Sequence, residues 1–163
     1  MRKILLWGCL VVAVVGCSDK STGPQNPPAP FVNTIQASLS VNSGAFITNT
    51  ANASNTGFAS SNDAGGNLII DITSTFQQGT MALKLVNITT PGTYTINNGG
   101  SQYIIGKFTI GTDVFTVPAP PPIKGKLTLE EYDAFKIKGT FFMTCIGTNG
   151  SVELKGGIFD GKF

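Results

Sequence analysis

The chain has 163 residues, no histidine, three cysteines and a formal charge of +2, with only 12% of its residues charged. The missing histidine excludes Ser-His-Asp and Cys-His catalysis, a His general base and His-ligated zinc. So small a charge leaves no footprint for a phosphate backbone and no polybasic patch for anionic lipid, and nucleic acid is not an expected partner.

The first predicted element is a leader over residues 1–16. Arg2 and Lys3 are followed by thirteen uncharged apolar or small residues, Ile4 to Gly16. That run is short for a membrane span, which takes about 20 residues, and fits a secretory core of about 7–15. It ends at Val14-Val15-Gly16-Cys17, which resembles the lipobox of bacterial lipoproteins. The resemblance implies that Cys17 receives a diacylglycerol, becomes the first residue after cleavage and carries two or three acyl chains, such as palmitate. Two or more acyl chains anchor durably where one does not. Removing residues 1–16 takes away Arg2 and Lys3, so eleven basic residues become nine against nine acidic.

Residues 17–30 form the next segment, the lipidated cysteine and a spacer. Ser18 to Pro30 hold four prolines and almost nothing apolar, too little surface to fold. At ~3 Å per residue this stretch reaches about 40 Å when extended.

From Phe31 to Phe163 the pattern is that of one all-β domain. Period-two alternation recurs in TIQASLSV, NLIIDIT, TMALKLV, TYTIN, YIIGKFTIG, DVFTV, GKLTLEEY, FKIKGTFFMTCIG and SVELKGGIF, rich in Thr, Ile, Val and aromatics. This predicts an antiparallel β-sandwich or partly closed β-barrel of eight to ten short strands. Residues 49–67, small and polar, read as a surface excursion with at most a short strand near Phe58. Pro91-Gly92 and residues 97–100 read as tight turns. Pro118 to Pro122 read as a stiff loop crossing from one sheet to the other. Asn149-Gly150 reads as the centre of a two-residue hairpin, both residues at positive φ.

With Cys9 in the leader and Cys17 acylated, Cys145 is the remaining thiol. It alternates with Phe141 and Met143, which places it in the core and makes it inert. Glu130 and Glu131 are neighbours on a strand and are expected on opposite faces, which argues against a pair of catalytic carboxylates. Residues 62–67 offer side-chain oxygens but too few charges for calcium, and read as a turn. No catalytic residue, metal ligand or cofactor is assigned. Tyr94, Tyr103 and Tyr132 are the candidate binding residues, as rings that stack on a sugar.

The block Gly125-Lys-Leu127-Thr-Leu129-Glu-Glu-Tyr132-Asp133, then Gly139-Thr140-Phe141-Phe142, then Gly150-Ser-Val152-Glu-Leu154-Lys-Gly156-Gly157-Ile-Phe159 resembles a family of secreted lipoproteins common in Bacteroidetes-type bacteria. The family implies an all-β fold of unknown function and no catalytic residues. It implies core roles for Leu127, Leu129, Phe141 and Phe159, and backbone-geometry roles for Gly139 and Gly157. Together with Ser18 after the cysteine, it implies an outer-membrane address in the cell envelope.

The expected function is that of a membrane-tethered envelope lipoprotein presenting a binding or interaction domain, with an envelope protein or a glycan as partner. The alternative is a structural or accessory envelope protein without a small ligand. An enzyme is the third reading, disfavoured because the usual catalytic groups are missing.

Overall fold

A computed structural model describes residues 30–51, 54–97 and 99–163. The leader, Cys17 and the spacer to residue 29 lie outside the described residues. Phe31–Phe163 form one compact unit. It is all-β, a single nearly closed antiparallel sheet of eleven strands.

The strands are β1 (Thr34–Val41), β2 (Ile47–Ala51), β3 (Thr56–Asn62), β4 (Leu68–Phe76), β5 (Gly79–Val86), β6 (Gly92–Thr95), β7 (Tyr103–Ile110), β8 (Asp113–Thr116), β9 (Gly125–Tyr132), β10 (Lys136–Gly147) and β11 (Gly150–Lys162). Nine follow one another in the order β2-β1-β11-β10-β8-β7-β5-β4-β3, and β6 and β9 form a wing on β10. The long strand β10 serves two partners along one edge. Its first part pairs with β9, and Ile146 pairs with Thr116 of β8. The proline loop 118–122 joins these two strands.

The path ends at β2 and β3, which are consecutive in the chain, and the fold closes there. The Phe58 ring of β3 lies on Gly161 of β11. The Thr56 hydroxyl donates to the Asn33 carbonyl at 3.4 Å, just ahead of β1.

Residues 49–67 hold the short strand expected near Phe58, β3, and differ from expectation in also supplying part of β2. In β2 only Ala51 is buried, so the strand shows no apolar alternation. It forms because β1 offers its open edge over Leu39 to Ile35. The strand count accordingly exceeds the eight to ten expected.

One face of every long strand feeds a common core. Ile35 and Leu39 meet Ile70, Ile72, Leu83, Leu85, Ile104, Phe108, Leu127, Val152, Leu154 and Phe159, all essentially sealed from solvent. Each such side chain contributes ~1.5–3 kcal/mol on burial. Cys145 is among them, and the lack of a nearby cation leaves burial to push its thiol up to about 12.

Two residues implied to serve backbone geometry have another reason to be glycine. Gly139 pairs with Phe159, and Phe141 with Gly157. A methyl at Gly157 would stand 2.5 Å from the Phe141 ring, and one at Gly139 would run into the Thr128 carbonyl oxygen of the neighbouring backbone as well as stand 2.6 Å from the Phe159 ring. Both glycines seat an aromatic ring across the strand pair, as glycines in sheets often do. Those two rings pack at 6.4 Å.

The final hairpin is also shifted by one residue from expectation. Gly147 pairs with Gly150, so Thr148-Asn149 are the loop residues. Gly150 has φ +129, while Asn149 is not at positive φ. The register is set from outside the hairpin: Asn42 accepts from Ser151 N–H at 2.9 Å through its side chain, and donates to the Ser151 carbonyl at 2.8 Å through its main chain.

Candidate functional site

The outer face of the sheet is polar, and its rows run in register. Thr93 of β6 stands beside Thr128 of β9, then Thr140 of β10, then Ile158 of β11, then Gln36 of β1. The Thr93 and Thr128 hydroxyls are 3.0 Å apart. The neighbouring row carries Lys126 opposite Phe142.

A β-bulge in β11 opens a groove across these rows. Pairing with both neighbours slips there, between Gln36 and Ser38 on one side and between Phe141 and Met143 on the other. Gly156 sits at φ +57, the left-handed conformation that a bulge of this kind requires. Neither Gly156 nor Gly157 has a side chain to fill the space between Phe142 and Ile158. The result is an open groove of about 430 Å³, lined by Thr93, Lys126, Thr128, Thr140, Phe142 and Ile158.

The chemistry of that lining is specific. Three hydroxyls both donate and accept, and one ammonium donates. Phe142 is 43% exposed although its neighbour Phe141 is 4% exposed, as strand alternation dictates. The groove has no carboxylate and no thiol in its lining. A second hollow of about 350 Å³ lies over β4, β5 and β7, where Ala82 leaves room among Asp71, Lys84, Ile105 and Lys107. Its one ion pair, Lys84–Asp71 at 4.0 Å, is exposed and of little energetic weight.

The tyrosines singled out by sequence do not meet. Tyr94 on β6 and Tyr132 on β9 are half-buried against the core. The Tyr94 hydroxyl donates to the Thr90 carbonyl at 2.7 Å. Tyr103 opens β7 opposite Val86. Among the described residues the ring contacts are Tyr132–Phe163 and Phe141–Phe159, and none joins two tyrosines. The exposed ring at the groove is Phe142, which the sequence marks only by its outward parity.

The two neighbouring glutamates also depart from expectation. A bulge at Glu130 breaks the alternation, since Lys138 pairs with Glu131 and Gly139 with Leu129. Both carboxylates therefore reach Lys138, at 3.8 and 4.0 Å. Lys136 donates to Glu131 at 2.8 Å and lies 3.8 Å from Asp160. The hydrogen bond from Lys136 holds the Glu131 carboxyl below its ordinary value, and the same bond raises Lys136. The cluster is a solvated charge ladder, not an acid–base pair across a cleft.

In residues 62–67, Asp63 accepts from Gly65 N–H, Asn67 N–H and the Asn67 amide at 2.8, 2.9 and 3.0 Å. The Asn67 bonds lower its carboxyl. The oxygens are thus spent on closing a turn. Among the described residues no three His, Cys, Asp or Glu side chains are grouped to hold a metal.

No family model, no curated protein and no solved structure matches this chain.

Proposed function

We propose that the protein is a membrane-tethered envelope lipoprotein, anchored through Cys17, whose barrel binds a neutral polar chain, of which a glycan is the best fit, in the groove over β6, β9, β10 and β11. The observation that carries this reading is the in-register Thr93–Thr128–Thr140 row running beside the exposed Phe142. Hydroxyls carried on strands about 4.8 Å apart, two of them bonded to each other at 3.0 Å, offer donors and acceptors of the kind a sugar chain carries. A phenyl ring beside them offers the face on which a sugar packs. A single lysine at the groove leaves little reason to favour an anionic ligand.

Tethering rather than spanning is supported by the distribution of side chains. A membrane-crossing barrel is apolar outside and polar within. Here the interior holds Ile, Leu and Phe, and the outer rows are mainly Thr, Lys, Ser and Gln, with Ile105, Phe142, Ile146 and Ile158 among them. Binding rather than catalysis is supported by the groove lining, which offers hydroxyls without a base to activate them.

The test is a titration of residues 31–163, followed by backbone NMR, with a panel of neutral oligosaccharides (chito-, cello- and malto-hexaose). Shifts gathered on Thr93, Thr128, Thr140 and Phe142, and lost in Phe142→Ala and Thr140→Lys, are the expected result. Silence across the panel, or shifts centred on the Lys84–Lys107 hollow, would refute the assignment.

A further inference from the structure

Of the five exposed phenylalanines among the described residues, Phe31, Phe135 and Phe163 lie at one end of the barrel, and Phe46 and Phe142 lie elsewhere. One end of the barrel gathers the starts of β1, the β9–β10 turn and the end of β11. Phe135 stands at the apex of that turn and is 75% exposed. Its presentation is rigid: Asp133 accepts from Phe135 N–H and Lys136 N–H at 2.7 and 2.8 Å. Phe163 N–H donates to the Phe135 carbonyl at 3.2 Å, and the Phe163 ring meets Tyr132 edge-on at 6.4 Å. Asn33 clamps the main chain of Lys162 from both sides, which brings Phe31 alongside. The Lys162 ammonium lies 4.6 Å from the Phe31 ring centre. Val32 is exposed next to it. Isolated apolar residues on a surface are ordinary, but a fixed cluster marks a contact surface.

We propose that this end of the barrel docks on the lipid surface, with Phe31, Phe135 and Phe163 entering the headgroup region. The proposal rests on the lipid anchor inferred above. What identifies the occupant is the position of Phe31. It is the first residue of the compact unit, and thirteen residues separate it from Cys17. An anchor there holds the cluster within about 40 Å of the bilayer, extended length included. Such a tether raises the effective concentration of the tip at the surface to the millimolar range. Aromatic side chains favour that interface, and a lysine beside them can keep its ammonium in water.

Charge plays little part. Lys136, Lys138 and Lys162 face Glu130, Glu131, Asp133 and Asp160 at this end, and the first two lysines are paired with acids. The docking is therefore apolar and indifferent to anionic lipid. It also turns the β8 end of the barrel, near Val114, away from the membrane.

The domain contains no tryptophan, the single Trp7 lying in the leader, so an introduced indole reports alone. Mature acylated protein, beginning at Cys17 and so lacking Trp7, is reconstituted into phosphatidylcholine vesicles, with Phe135→Trp in one sample and Val114→Trp in another. Flotation reads the anchor; quenching by brominated phosphatidylcholine reads the tip. The expected result is co-flotation of both, with blue-shifted, strongly quenched emission at position 135 and unquenched emission at 114, unchanged when anionic lipid is added. Co-flotation with neither position quenched leaves the anchor intact and overturns the docking. Equal quenching at both positions overturns an oriented contact. A blue shift at 135 without bromine quenching overturns it in favour of a second copy covering the tip. Failure to float overturns the anchor, and the docking with it.

Discussion

Phe141 and Phe142 are chemically identical neighbours with opposite fates. Phe141 is seated over Gly157 in the core, and Phe142 lines the groove. Phe141→Ala is expected to cost about 3–5 kcal/mol, and Phe142→Ala about 1 kcal/mol or less. Denaturant melts of the two variants check the order. Gly150→Val should cost at least about 1 kcal/mol. The reason is partly its φ of +129 and partly the Asn42 side chain, which occupies the place a Cβ would take. Cys145 makes a titration prediction. Burial raises its thiol to about 12 from an ordinary value of 9.0. The folded protein thus holds its proton when the unfolded chain has lost it. Stability from this group is complete below pH 9 and falls as pH rises from 9 towards 12. In the native state the thiol should resist iodoacetamide at neutral pH and react at once in denaturant. Prompt native labelling would show that Cys145 is not sealed.

At the scale of elements, the β-bulge in β11 decides the most. It interrupts pairing to β1 and to β10 at the same place, and it leaves two adjacent glycines with different constraints. At Gly156 the space is open but φ is +57. At Gly157 φ is ordinary but the Phe141 ring is in the way. Gly156→Asn should therefore be nearly neutral, since Asn tolerates the left-handed region. Gly157→Ala should cost about 1–3 kcal/mol, as overpacking does. Thermal melts that reversed this order would mean that conformation, not ring packing, dominates the site. The sequence showed two glycines in a row but not which of them carried a turn and which carried a ring. That distinction depends on Phe141, sixteen residues away.

At the scale of the whole molecule, the core and the proposed anchor are expected to be separable. Residues 20–30 have almost no apolar side chains to add to a core, so deleting them should leave the melting temperature of the domain almost unchanged. A large drop would mean that they pack as a strand or a docked arm. Cys17→Ala should move the protein out of the membrane fraction, and unchanged partitioning on fractionation would refute the anchor. The barrel itself should not hold the mutant in place, because the proposed tip contact would be weak without acyl chains to concentrate it at the surface.

The all-β class was legible because period-two alternation is local. Ile35, Ala37 and Leu39, or Phe141, Met143 and Cys145, declare a buried face within a few residues. The inert position of Cys145 followed from the same parity. β2 was not legible: ITNTA carries no apolar stripe, and its partner is supplied by another strand. The pairing of Glu130 with Glu131 at Lys138 was hidden too, because a bulge reverses parity without a mark of its own in the sequence. The groove depended on tertiary structure altogether. Thr93, Thr128 and Thr140 come from three strands, and only the β6–β9–β10 register lines them up. The aromatic tip is likewise assembled from Phe31, Phe135 and Phe163. What the sequence determined by itself is the alternation that buries one face of each strand, since this needs only neighbouring residues and the pleat. Which strands share an edge, and so which outward side chains stand together, was decided by closure of the sheet, because long-range pairing is fixed by how all the buried faces fill one core.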